Sequence, residues 1–199
     1  NAAVAKKLVM LDADVAAEDK YGKQPHHYAA EEGNDKVLEA LVKLGADLED
    51  ETFNGRTALA FAAMRGRSST VKLLADLGAE VDEPGTMFAG RRPLHFAAAS
   101  GDEATVKALL RLGADVDAAD TRGNLPVHHA ALAGLRAMVD LLCEYCDPDA
   151  VNGDGKDAKR LLDENDPNKQ HPDAGPPPMS AYGGAVPGSP ARAPALGAG

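Results

Sequence analysis

The most reactive pattern in this chain is a single Cys-x-x-Cys motif formed by Cys143 and Cys146. Two thiolates at this spacing could share a zinc ion or act as a redox pair. A structural zinc site takes about four ligands. Because the chain has no further cysteine, such a site would have to add His128 or His129. A redox pair would need surroundings that stabilise a thiolate. We favour a third interpretation, two small side chains at the end of a helix.

Three histidines, His27, His95 and His128, fall at one position of a repeated pattern, and His26 and His129 stand beside two of them. The two His-His pairs belong to different copies of the pattern, so their spacing does not assemble a metal site. The sequence contains no recognisable pairing of a nucleophile with a base, and its glycines are accounted for by turns. We therefore predict that the protein is not an enzyme and uses no metal or cofactor.

The elements that position these residues come from an internal repeat. Its clearest copy runs from Gly90 to Gly113 and reads GRRPLHFAAASGDEATVKALLRLG. Related copies begin at Gly22, Gly55 and Gly123, so the steps between first glycines at 22, 55, 90 and 123 are 33, 35 and 33 residues. A fixed period in this range is typical of a repeat solenoid.

Each copy predicts a tight turn, a short helix, a glycine break and a second helix that ends at a glycine. The first glycine is expected at positive φ in the turn, and the proline of three copies suits the first turn of a helix. Apolar residues such as Val106, Leu109 and Leu110 recur at helical spacing in the second half. Alanine pairs in the first half allow close helix packing, and they are Ala29-Ala30, Ala62-Ala63, Ala97-Ala98 and Ala130-Ala131.

Two motifs of the clearest copy resemble the ankyrin repeat. Residues 92–97, Arg-Pro-Leu-His-Phe-Ala, are similar to the family's Thr-Pro-Leu-His-x-Ala, and residues 109–116 are similar to its Leu-Leu-x-x-Gly-Ala-Asp-Val. The other copies depart in part. The resemblance covers about residues 1–165. It implies an all-α solenoid of stacked units, each with two antiparallel helices and a β-turn or hairpin finger. It also implies that the histidine of the motif hydrogen-bonds loop backbone between units.

The register of the copies predicts the organisation of the chain. Residues 1–18 form a partial repeat, repeats follow at about 19–51, 52–84, 85–119 and 120–150, and a C-terminal cap occupies 151–165. Residues 166–199 hold eight of the 13 prolines and few large apolar side chains, so this tail is expected to be disordered or extended. Because the end of a solenoid needs a cap, Val4 and Leu8 are expected to be covered by a preceding segment or a partner.

Charge and composition restrict the partners. The net charge of −10 disfavours nucleic acid and anionic membranes, which repel an acidic surface. No apolar run approaches the roughly 18 residues of a membrane span, and two cysteines do not form a disulfide framework. We expect a soluble, intracellular protein, in the cytoplasm, the nucleus or an organelle.

The resemblance also implies where a partner would bind, at positions that vary within the family. The resemblance implies that the ends of the first helices and the tips of the fingers, at 20–23, 52–56, 84–92 and 121–124, line a concave face. The predicted contacts are Tyr21, Lys23, Glu31, Glu32, Phe53, Arg56, Met64, Arg65, Met87, Phe88, Arg91, Arg122 and Leu132.

Three features of this set guide the interpretation. The third finger is two residues longer than its neighbours, and Met87 and Phe88 at its tip are the strongest anchor, because buried apolar anchors dominate interface energy. A basic column next to the turn glycines, Lys23, Arg56 and Arg91, is either solvated or a contact. An aromatic column one repeat apart is predicted to pack in the core, and it consists of Tyr28, Phe61, Phe96 and His129.

Two functions fit these features. The first is a non-catalytic module that binds a protein partner through the concave face and the fingers. The alternative is a structural or accessory subunit of a large multi-protein assembly, held by its N-terminal end and its extended tail. Both rest on analogy at the level of the fold.

Overall fold

A computed structural model describes residue 3 and residues 13–85 and 89–165, and within them the chain forms four pairs of helices and one further helix. The pairs are α1 (Pro25–Glu32) with α2 (Asp35–Lys43), α3 (Ala58–Met64) with α4 (Ser68–Asp76), α5 (Pro93–Ser100) with α6 (Glu103–Arg111), and α7 (Pro126–Leu132) with α8 (Arg136–Leu142). The last helix is α9 (Ala158–Asn165), where the sequence predicts a short C-terminal helix. None of these helices is long and apolar enough to cross a membrane.

The first helix of each pair packs directly on the first helix of the next pair. The alanine pairs make this possible, since all eight alanines are at most 3% exposed. The second helices, α2, α4, α6 and α8, contact one another less than the first helices do. The predicted all-α solenoid is therefore confirmed.

The turns before α1, α3, α7 and α9 form fingers that are each closed by two backbone hydrogen bonds. In the fourth finger the Asp120 N–H donates to the Asn124 carbonyl (2.9 Å), and the Gly123 N–H donates to the Asp120 carbonyl (2.8 Å). The same two bonds close the fingers at 19–23, 52–56 and 152–156. The turn glycine has the predicted positive φ, for example 72° at Gly22, which favours glycine over residues with a Cβ.

Neighbouring fingers are joined edge to edge by further backbone bonds. The Phe53 N–H donates to the Tyr21 carbonyl (3.0 Å), the Thr121 N–H to the Ala89 carbonyl (2.7 Å), and the Gly153 N–H to the Arg122 carbonyl (3.0 Å). The approach is close enough that a Cβ at Gly22 would lie 2.8 Å from the Phe53 nitrogen. Within the described residues, these bonds join the first finger to the second, the third to the fourth and the fourth to the last.

The motif histidines tie each unit to the loop of the next. His95 accepts the Arg92 N–H at Nδ1 (3.0 Å), so its Nε2 carries the proton and donates to the Asn124 carbonyl (3.1 Å). His27 and His128 make the same two kinds of bond, and their Nε2 atoms reach the carbonyls of Asp50 and Ala150. The structural role implied by the resemblance is therefore confirmed. The second repeat has Ala60 at this position and cannot make the bond.

Asp120 holds the fourth finger and connects it to α7. Its Oδ1 accepts the N–H groups of Arg122 (2.8 Å) and Asn124 (2.9 Å), and its Oδ2 accepts the Nε2–H of His129 (2.9 Å). Burial alone would raise the pKa of Asp120, but these hydrogen bonds outweigh it and lower the pKa. Burial, with Arg91 nearby, lowers the pKa of His129 to about 4, so this imidazole is neutral at pH 7.

His26 is a fully buried residue whose side chain makes no hydrogen bond with the described residues. It occupies the position that Leu59, Leu94 and Val127 fill in the other repeats. It is completely buried, and neither ring nitrogen has a hydrogen-bond partner in the part of the chain that the structure describes. Burial, reinforced by His27, lowers the pKa of His26 to about 4.

We predict that His26→Leu raises the stability at pH 7 and reduces its loss in acid. The folded-state pKa of about 4 lies below the usual value of about 6.5 for an exposed histidine. The unfolded state therefore binds the proton first as the pH falls, and stability is lost from about pH 6.5 towards pH 4. By this linkage His26 alone contributes a loss of about 2 kcal/mol at pH 5.

Thermal unfolding at pH 7 and pH 5 measures both effects. The variant is expected to have the higher melting temperature at both pH values and a smaller difference between them. A variant that melts below the wild type at pH 7, with an unchanged difference, would contradict this reading of His26.

A second prediction concerns Asp120. Asp120→Ala removes the acceptor for two finger N–H groups and for the buried His129, so the free energy of unfolding should fall by about 2–4 kcal/mol. Asp120→Asn should lose less, because the equivalent Asn152 holds the last finger with its amide oxygen. The control is Asp154→Ala at an exposed site of that finger, which should change little. Urea denaturation ranks the three variants, and equal losses for all of them would disprove the role of Asp120.

Candidate partner-binding face

The first helices α1, α3, α5 and α7 and the fingers form one surface, which we call the inner face. Most of the sequence-predicted contacts can be located on it. Tyr21, Glu32, Phe53, Arg65 and Arg122 are exposed, and Lys23, Glu31, Arg56, Met64, Arg91 and Leu132 are partly buried. Met87 and Phe88 lie outside the described residues, so their predicted anchor role remains a prediction.

Two finger tips carry exposed aromatic rings. Phe53 is 58% exposed and Tyr21 is 47% exposed. The Phe53 ring rests against the preceding finger, since a Cβ at Gly22 would lie 2.7 Å from its Cδ1. The Tyr21 N–H donates to the Asp19 Oδ1 (2.8 Å). The Phe53 ring is therefore held against the neighbouring finger and the Tyr21 main chain is fixed, while a large part of both rings faces solvent.

Glu31 is the centre of an ion cluster that connects two repeats. It pairs with Lys23 of its own repeat at 2.5 Å and with the Arg65 Nη2 of the next repeat at 2.6 Å. Burial alone would raise the pKa of Glu31, but hydrogen bonds from the two cations outweigh it and lower the pKa. Lys23, Glu31 and Arg65 therefore balance much of one another's charge.

The basic column packs across the repeat boundaries onto the aromatic column. The Lys23 Nζ lies 4.2 Å from the centroid of the Phe61 ring, and the Arg56 Cζ lies 5.5 Å from the centroid of the Phe96 ring. Cations at such distances are attracted to the negative face of an aromatic ring. The column is therefore not simply solvated, which was one of the two interpretations of the sequence.

The aromatic column follows its core prediction except at one end. Phe61 and His129 are each 4% exposed, and Phe96 packs against the hydrophobic core. Tyr28 is 45% exposed, so the core prediction was wrong for this residue. The physical reason is its hydroxyl, which donates to the Asp19 Oδ2 at 2.7 Å and keeps the ring at the surface.

Two of the predicted residues border a cleft that the sequence did not indicate. Met64 and Arg65 line an open cleft of about 420 Å³ together with Ser100 and Asp102 of the next repeat. Sequence analysis also missed Asp19 and Asp120. A polar acceptor at the start of each finger is the signal that could have found them, because such side chains favour turns.

The cysteine pair offers no activated nucleophile. Cys143 and Cys146 are free thiols, both partly buried. Burial raises the pKa of both, that of Cys146 to about 11, which disfavours the reactive thiolate. Among residues 13–85 and 89–165, no group of three or more His, Cys, Asp or Glu side chains could hold a metal ion.

Comparison with known proteins agrees with this architecture. A family model described as ankyrin repeats (three copies) matches residues 1–85 and 83–154. The crystal structure of the ankyrin repeat domain of Bcl-3, a unique member of the IkappaB protein family, is similar at 30% identity and a TM-score of 0.69. The match covers 81% of this chain and 75% of that one. No curated protein sequence matches significantly.

Ankyrin repeats are in general protein–protein interaction modules, and proteins built from them are typically not enzymes. The family model covers well over half of the chain, and the helix pairs, fingers and histidine ties follow the same pattern. The chain belongs to the ankyrin repeat family.

Proposed function

We propose that this protein is a non-catalytic interaction module that binds a protein partner on its inner face. The observation that carries the proposal is the pair of exposed finger-tip rings, Tyr21 and Phe53. Aromatic side chains that become buried in an interface supply much of its binding energy. Rings already held by the fold lose little conformational entropy on binding.

The surroundings of these rings suit an interface. The Lys23–Glu31–Arg65 cluster lies on the same face, so apolar anchors have charged neighbours, as in the polar rim of protein interfaces. The third finger would add Met87 and Phe88 to the contact, on the strength of the sequence alone. The ends of the first helices, with Glu32 and Leu132, would form the other border.

Site-specific photo-crosslinking tests the proposal. A photoreactive phenylalanine analogue replaces Phe53 in the full chain, and in a control it replaces Lys72, which is exposed on α4 in the outer layer of helices. Each protein is irradiated in extract of the source organism, and covalent products are identified by mass spectrometry. We expect one reproducible protein adduct from position 53 and none from position 72.

Adducts of the same protein in equal yield at both positions would contradict the use of the inner face, as would an adduct at position 72 alone. With the adduct identified, Phe53→Ala should weaken its binding about tenfold or more, the scale of an interface anchor. The melting temperature should change little, because Phe53 is largely exposed.

A further inference from the structure

Arg56 differs from the other two cations of the basic column. Lys23 pairs with Glu31, and the Arg91 Nε lies 3.8 Å from the Asp120 Oδ2. Arg56 has no ion pair with any carboxylate of the described residues. The Nε atoms of both Arg56 and Arg91 are buried and have no hydrogen-bond acceptor there. The one strong neighbour of Arg56 is the Phe96 ring, 5.5 Å away.

This arrangement leaves the positive charge only partly compensated, because Glu31, whose charge attracts Arg56, is already paired with Lys23 and Arg65. Burial lowers the pKa of Arg56, and the proximity of Arg91 lowers it further, so the two guanidinium groups repel each other. The attraction of Arg91 to Asp120 is weak, because 3.8 Å is beyond hydrogen-bond distance. Asp120 is moreover already engaged by His129 and by two finger N–H groups.

We propose that Arg56 and Arg91 together bind a carboxylate of the partner, an aspartate or glutamate side chain, on the inner face between the second and third repeats. A guanidinium offers paired N–H donors in a plane that matches a carboxylate. The Phe96 ring supports that plane under Arg56. The inference rests on the proposed function, and it assigns the partner an acidic residue at this point.

Because the rest of the protein is acidic, this positively charged part of the inner face is selective for an acidic segment of a partner. The chain carries a net charge of −10, so most of its surface repels an acidic segment, whereas this part of the inner face attracts one. Complementary charge at a few positions fixes the register of a complex and rejects wrong partners. The acidic residue would therefore select the partner and orient it against the finger-tip rings.

A peptide titration of the full chain tests the inference. The probes are an acetylated hexaglutamate and, as its neutral match, an acetylated hexaglutamine. Binding is followed by NMR at the arginine Nε–H resonances of the labelled protein. We expect hexaglutamate to shift the Arg56 and Arg91 signals progressively and hexaglutamine to shift neither.

Three variants test whether hexaglutamate binding depends on Arg56. Arg56→Gln should weaken hexaglutamate binding about tenfold, the scale of a charge-assisted hydrogen bond, whereas Arg56→Lys should keep part of it. Arg136→Gln removes the same charge from an exposed site on α8 in the outer layer and should change the affinity less than about twofold, since exposed charges act weakly. Melting temperatures show whether each variant is folded.

Equal affinity of the wild type and Arg56→Gln would overturn the inference, as would equal losses in Arg56→Gln and Arg136→Gln. Unshifted Arg56 and Arg91 signals would overturn it even if the Gln variant fails to fold.

The carboxylate site and the proposed interaction surface can be refuted independently of each other. A protein adduct at position 53 without hexaglutamate binding refutes only the carboxylate site. Hexaglutamate binding without an adduct refutes only the proposed interaction surface.

Discussion

The backbone hydrogen bonds between neighbouring fingers are the constraint on which the rest of the structure depends. They join the first finger to the second, the third to the fourth and the fourth to the last at N···O distances of 2.7–3.0 Å, so the main chain sets the offset between these repeats. Because of that offset, Lys23 reaches Phe61 and Glu31 reaches Arg65, both in the following repeat. Loops are usually the most variable part of a fold. Here they set the geometry of the proposed binding surface.

Buried polar groups that have hydrogen-bond partners play a different role in this protein from those that lack them. The motif histidines and Asp120 are buried with complete hydrogen bonding, and their roles are structural. His26 and Arg56 are the informative exceptions. His26 is sealed in the core, so its unpaired nitrogens only reduce stability. Arg56 is partly exposed, and we propose that an external carboxylate binds the accessible part of its guanidinium. A missing hydrogen-bond partner therefore lowers stability at His26, whereas at Arg56 it belongs to the proposed binding site.

The sequence predicts the fold well because the residues that determine each unit lie close together in the chain and recur in every repeat. The turn glycines, the alanine pairs and the motif histidines each report a short-range requirement, and four copies confirm one another. The side-chain pairs across repeat boundaries could not be predicted in this way. Whether Lys23 meets solvent or Phe61 depends on distances between repeats, which no single copy encodes. Tyr28 shows a different limit, since a hydrogen bond within its own repeat, to Asp19, overrides the core preference of its column.

Amide hydrogen exchange of the finger residues tests the central claim, that backbone hydrogen bonds join neighbouring fingers at three places along the stack. The amides of Phe53, Thr121 and Gly153 lie in loops, yet each donates to the preceding finger. The account predicts that all three exchange at least about 100-fold more slowly than in an unstructured chain, as amides do when a cooperative unit must open first. Exchange of these amides at the rate of an unstructured chain, while the helices remain protected, would contradict it.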